Sequence, residues 1–84
     1  MYEILIERAG ERDLKKLPAV DFERIIPHLK GLAENARPAG SRKISASGHD
    51  WRIRVGTDRV LYEIDEKEKT VKILRVRHRR EAYR

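Results

Sequence analysis

The chain contains no cysteine, so neither a disulfide staple nor a thiolate metal site is open to it, and a reducing compartment fits. It has no apolar run approaching the roughly 18 residues of a membrane span. The opening MYEILIERAG meets charge at Glu3, unlike a secretory signal. These absences point to a cytoplasmic protein without a membrane partner. The three histidines are scattered, with no cysteine and no close carboxylate partner along the chain, which argues against a metal site and for no cofactor. Gly48 and Gly56 read as turn glycines, because neither a P-loop nor a dinucleotide fingerprint surrounds them. No repeat, linker or low-complexity segment is visible.

What remains is a small, strongly basic chain. Eighty-four residues make one domain, spanning 1–84. A chain this short buries only about 60% of the surface its unfolded state exposes, so its margin of stability is thin. A hydrophobic content of 39% is enough for one core. Twenty Lys and Arg against fourteen Asp and Glu leave a net charge of +6. Much of that excess sits in RVRHRREAYR (75–84), where five arginines face Glu81 alone. A clustered positive field favours an anionic partner, nucleic acid first and an acidic protein second.

The patterning predicts an α+β domain. YEILIER (2–8) alternates Tyr2, Ile4 and Ile6 against Glu3, Leu5 and Glu7, as a strand does. GERDLKKL (10–17) allows a helix of two turns at most, with Leu14 and Leu17 on one face. Pro18 suits the first turn of a second helix. Phe22, Ile25, Ile26, Leu29, Leu32 and Ala33 then follow helical spacing, with Glu23, Arg24, His28, Lys30 and Glu34 on the polar face. Pro27 lies inside that pattern and predicts a kink. ENARPAGS (34–41) ends the helix. RKIS (42–45) is a short strand and ASGHD (46–50) a loop. WRIRV (51–55) turns through GTD into RVLYEI (59–64), and TVKILRV (70–76) follows a charged turn. The order β-α-α-β-β-β predicts two helices on one face of a mostly antiparallel sheet of four or five strands, with the other face partly open.

That open face raises the functional question. Parity places Trp51, Ile53 and Val55 on one side of the hairpin, with Val60, Tyr62 and Ile64 beside them. Arg52, Arg54 and Arg59 then share the other side. Adjacent cations repel, and a bound phosphate would relieve that repulsion. The alternative is a solvated lattice in which Glu63 and Asp65 pair with them. After the last strand come His78, Arg79, Arg80 and Tyr83. Arginines, an imidazole and a phenol suit metal-free RNA cleavage, in which a ribose 2′-hydroxyl attacks its own 3′ phosphate. The protein then has to align the chain, neutralise the pentavalent phosphorane and move protons. Parity makes Trp51 a core residue rather than a base-stacking platform.

The segments LPAVDFERIIPHLKGLAENARPAGSRKI, WRIRVGTDRVLYEID and ILRVRHRREAYR closely resemble the RelE toxins of bacterial and archaeal toxin–antitoxin pairs. The resemblance spans essentially the whole chain. Its most specific parts are the aromatic-R-x-R-x-G-x-x-R-x-x-Y hairpin and the closing H-R-x-x-x-Y. It implies the α+β fold read above and a ribosome-dependent endoribonuclease that cleaves messenger RNA in the A site. It also implies a monomeric toxin whose partners are the 70S ribosome, mRNA and a RelB-like antitoxin, which wraps it with a net-acidic segment in hetero-oligomers.

By the same resemblance, Arg52, Arg54, Arg59, Arg79, His78 and Tyr83 form the catalytic set. Arg42, Lys43, Arg77 and Arg80 lie along the RNA path. The chain departs from the pattern in three places. Some relatives carry lysine at the paired hairpin positions, where arginine cannot act as a base; His78, Glu63, a ribosomal group or solvent would take that role. Arg77 stands where glycine is common, and Pro27 is unusual in the second helix. The related ParE toxins share the fold but act on DNA gyrase, and a member that only binds its antitoxin is a third reading.

Overall fold

The computed structural model describes residues 1–44 and 50–78. Among these residues, two helices and five strands run in the order β1 (Glu3–Ile6), α1 (Arg8–Lys16), α2 (Ala19–Gly31), β2 (Arg42–Lys43), β3 (Asp50–Val55), β4 (Asp58–Asp65) and β5 (Thr70–His78). The strands form one sheet in the spatial order β1-β5-β4-β3-β2. The β2–β3, β3–β4 and β4–β5 pairs are antiparallel, and β1 pairs in parallel with β5. The fold is thus the expected α+β arrangement with a mostly antiparallel sheet.

The core lies between the helices and one sheet face. Alternation along β4 buries Asp58, Val60, Tyr62 and Ile64 and leaves Arg59, Leu61, Glu63 and Asp65 half-buried on the other side. Against the buried row pack Ile53 and Val55 from β3, Val71, Ile73 and Val76 from β5, and Leu14, Ile25, Leu29, Leu32 and Ala36 from the helical half. Tyr62 is wholly enclosed, and its hydroxyl donates 2.8 Å to the carbonyl of Ala36. That bond ties the chain after α2 to the middle of the sheet. The two-residue turn Gly56-Thr57 has Gly56 at φ +62°, the backbone that a II′ hairpin requires at its first position.

Helix α1 closes an edge that β1 leaves open. β1 ends at Ile6, so among the described residues the outer edge of β5 beyond Ile73 has no strand partner. The Asp13 carboxylate accepts the Val76 N–H at 2.9 Å and the Arg75 Nε–H at 2.7 Å. Gly10 brings the helix backbone close: a Cβ there would lie 2.8 Å from the Ile73 carbonyl oxygen.

Several boundaries differ from the sequence reading. α1 starts at Arg8, two residues earlier than expected, and Pro18 is the N-cap of α2 rather than its first turn. α2 runs through Pro27 and ends at Gly31. Pro27 and Glu23 are both exposed, so water can take the carbonyl that the proline leaves without a donor. Phe22 is exposed instead of joining the core, as are Leu5 and Ile6 of β1. β4 and β5 shift register at Leu61/Tyr62, so Ile73 and Val76 both reach the core across a bulge. The expected strand 42–45 and loop 46–50 fall partly in residues 45–49, outside the described residues.

Candidate nucleic-acid interface

The ladder assembles the arginines by register. Arg54 of β3 stands opposite Arg59 of β4, and Arg59 stands opposite Arg77 of β5. Two positions along β3, Arg52 stands opposite Arg42 of β2 on one side and Leu61 on the other. Cross-strand partners share a sheet face, so Arg42, Arg52, Arg54, Arg59 and Arg77 all belong to the face away from the core. The alternation made this predictable for three of them; the places of Arg42 and Arg77 depend on the pairing itself.

The electrostatics match that geometry. Partial burial, followed by the charges of Arg59, Arg54 and Arg42, pulls the Arg52 guanidinium below its ordinary pKa. It remains a full cation at any physiological pH. Among the described residues, no ion pair joins Glu63 or Asp65 to Arg52, Arg54 or Arg59. Asp65 instead caps its own turn, accepting from the Glu68 N–H at 3.0 Å. Glu63 lies between Asp50 and Lys72 in the ladder. The solvated-lattice alternative therefore lacks its pairs, and neither Glu63 nor Asp65 offsets the repulsion among Arg52, Arg54 and Arg59.

Beside this face lies a cleft of about 560 Å³, lined by His28, Ala39, Gly40, Arg42, Arg52, Ile53 and Arg54. His28 was legible only as a polar-face residue of α2. The fold brings it to a cleft with three arginines, Arg42, Arg52 and Arg54.

Two of the proposed residues fall elsewhere. Lys43 pairs with Trp51, which gives it the core-side parity at an exposed edge rather than a place beside Arg42. His78 pairs with the buried Asp58 and so turns to the helix side of the sheet, away from Arg59 and Arg77. Its Nδ1 lies 2.7 Å from Asp58 Oδ1 and 3.6 Å from Asp21 Oδ2. This corrects the sequence reading that no histidine has a close carboxylate partner: the partners lie 20 and 57 residues away along the chain. Arg79, Arg80 and Tyr83 lie outside the described residues. Trp51 is half-buried against the core, as its parity predicts, with the Arg37 guanidinium 5.2 Å from its ring centre.

Comparison with known proteins follows the same fold. Residues 4–83 match the model of the ParE toxin of type II toxin–antitoxin systems. The chain belongs to the RelE/ParE superfamily of type II toxins. Toxin RelG of Mycobacterium tuberculosis is 33% identical over 84 residues, covering 99% of this chain and 97% of that protein. The toxin–antitoxin complex RelBE of the same organism is 30% identical, with a TM-score of 0.80 over 93% of this chain and 98% of that one. The archaeal RelE–RelB complex of Pyrococcus horikoshii is 26% identical, with a TM-score of 0.82 over 93% and 94% of the two chains. Like these RelE/ParE relatives, the chain is a small toxin domain. Among the described residues, no helix is long and apolar enough to cross a membrane.

Proposed function

We propose that this RelE/ParE toxin is an endoribonuclease that cuts mRNA in the A site of the translating ribosome, and that a RelB-like antitoxin silences it. The observation that carries this reading is the register-built arginine face, bordered by a cleft, on which Arg52, Arg54 and Arg59 form no ion pair with Glu63 or Asp65 among the described residues. Arg54, Arg59 and Arg77 form a row across three strands. A row of guanidiniums at cross-strand spacing suits consecutive phosphates of a single strand, and its forks stabilise the phosphorane formed when the 2′-hydroxyl attacks. The attack forms one P–O bond and breaks the P–O5′ bond, leaving a 2′,3′-cyclic phosphate and a 5′-hydroxyl. Arg42 and Arg52 extend the same charged track. By the resemblance, Arg79 and Tyr83 complete it.

None of these arginines can take the proton from the attacking hydroxyl. The ribosome supplies the missing alignment, and the proton passes to a ribosomal group, solvent or the His28 imidazole in the cleft. The antitoxin reading is supported by the two similar toxins, each of which was solved as a complex with its antitoxin. A net-acidic segment that orders on binding complements the +6 charge.

A second reading has a specific observation behind it: the matched family model is that of ParE toxins, and by the resemblance ParE toxins act on DNA gyrase. Controlled expression followed by mapping of mRNA ends, on translated and untranslated versions of one transcript, separates the two. Cuts confined to the translated version support the endoribonuclease. Intact mRNA with DNA damage supports the gyrase reading.

A further inference from the structure

On the helix side of the sheet, three elements converge on one point. Asp21 comes from the first turn of α2, Asp58 from the start of β4 and His78 from the end of β5. One donor atom from each lies within 4.8 Å of the others. Asp21 and Asp58 are buried, Asp58 to 1% of its side-chain surface, and His78 is half-buried. Its Oδ1 faces the imidazole, while Oδ2, on the same carbon, is buried and has no hydrogen-bond partner among the described residues. A buried carboxylate oxygen without a donor is costly and uncommon, and a cation beside it removes the cost.

We propose that Asp21, Asp58 and His78 bind a single first-row transition-metal ion, Zn²⁺ foremost. One imidazole nitrogen with two carboxylate oxygens is a set that zinc and its neighbours take readily; Ca²⁺ and Mg²⁺ prefer oxygen alone and more of it. Metal–donor bonds of about 2.0–2.2 Å in a tetrahedron place donors roughly 3.3 Å apart. The separations of 2.7 and 3.6 Å from His78 Nδ1 bracket that value, and all three donors lie within 4.8 Å of one another, so the carboxylates would close on the ion by side-chain rotation. Two carboxylates balance the charge of a dication. Arg24, 4.0 Å from Asp21 Oδ1, and Lys16, which lines the recess beside His78, are cations that oppose it.

His78 also borders a recess of about 80 Å³ with Asp13, Lys16, Leu17, Pro18 and Val76, which has room for water as a fourth ligand. The site is on the opposite face from the arginines, so the ion is not part of the phosphate chemistry. It clamps the start of α2 and the β3–β4 turn to the last described residue of β5. Ligands at 21, 58 and 78 form no recognisable sequence motif, and only the fold brings them together.

Titration calorimetry of the metal-stripped full chain with Zn²⁺ tests the site, with Mg²⁺ as the comparison ion. The expected result is one equivalent of Zn²⁺ bound at micromolar concentration or below and no comparable uptake of Mg²⁺. Affinity should fall at least tenfold in both Asp58→Asn and His78→Gln. Because either variant can lose stability, Co²⁺ is added to the wild-type chain and its paramagnetic shifts are mapped by NMR. They should centre on the amides around Asp21, Asp58 and His78. Absence of stoichiometric binding, affinity unchanged in both variants, or shifts centred elsewhere would overturn the proposal.

Discussion

Arg54 and Arg59 are forced together by the ladder, and their side chains carry the chemistry proposed here. If they stabilise the phosphorane, Arg54→Ala lowers single-turnover cleavage on the ribosome by about 10²–10³. Arg54→Lys recovers only part of that, because a point charge replaces a bidentate fork. Ribosome binding changes far less in either variant. The imidazoles divide by face. If the cleft imidazole relays the proton, His28→Gln is expected to lower single-turnover cleavage, and His78→Gln to leave it unchanged, since His78 is turned to the helix side. The reverse pattern in the two rates would return the proton to His78. The arginine group was readable in the sequence because a strand has a period of two, so Arg52 and Arg54 must share a face. The separation of His78 was not, because it depends on pairing with Asp58 across a bulged ladder.

At the scale of elements, α1 lends a carboxylate to the edge of β5. Burial alone raises the Asp13 carboxyl. Hydrogen bonds from Arg75 and the Val76 N–H, with the charges of Arg75 and Arg77, outweigh it and hold the group below its ordinary pKa. A carboxylate depressed in the folded state stabilises the fold above its unfolded pKa, about 3.9, and loses that contribution as pH falls through the folded value. Asp13→Asn should therefore cost roughly 1–3 kcal/mol at neutral pH. The cost should vanish in strong acid, where the wild type is protonated too. Urea titrations of both proteins between neutrality and pH about 3 check this; a constant difference across that range contradicts it.

Glu66 works in the same direction: the Tyr2 hydroxyl, which donates at 2.7 Å, and then Arg37 pull it down to about 2. Strand positions and the amphipathic row of α2 were legible because periodicity encodes them. Phe22 was misplaced, since helical spacing gives a stripe but not its width: the sheet covers Ile25 and Leu29 and leaves Phe22 exposed. The role of Asp13 had no local signal at all, because its partners lie 62 and 63 residues away.

The whole molecule has two unlike faces, helices and core on one side and an arginine sheet on the other, with a net charge of +6. The sign and size of that charge were plain from composition, and the fold concentrates part of it on one surface. Binding to single-stranded RNA should weaken with salt, each phosphate contact contributing about 0.7 to the log–log slope. Filter binding across a salt series measures this, and a flat response would remove the arginine face from RNA contact.

The most direct test of the account uses purified toxin and a ribosome complex with mRNA in the A site. It compares that mRNA with a copy carrying a single 2′-deoxy nucleotide at the cleaved position, and with the same mRNA free of ribosomes. The account predicts a cut only in the all-ribose message on the ribosome, ending in a 2′,3′-cyclic phosphate. Equal cutting of the 2′-deoxy message, or an uncut message alongside inhibition of gyrase supercoiling, would contradict it.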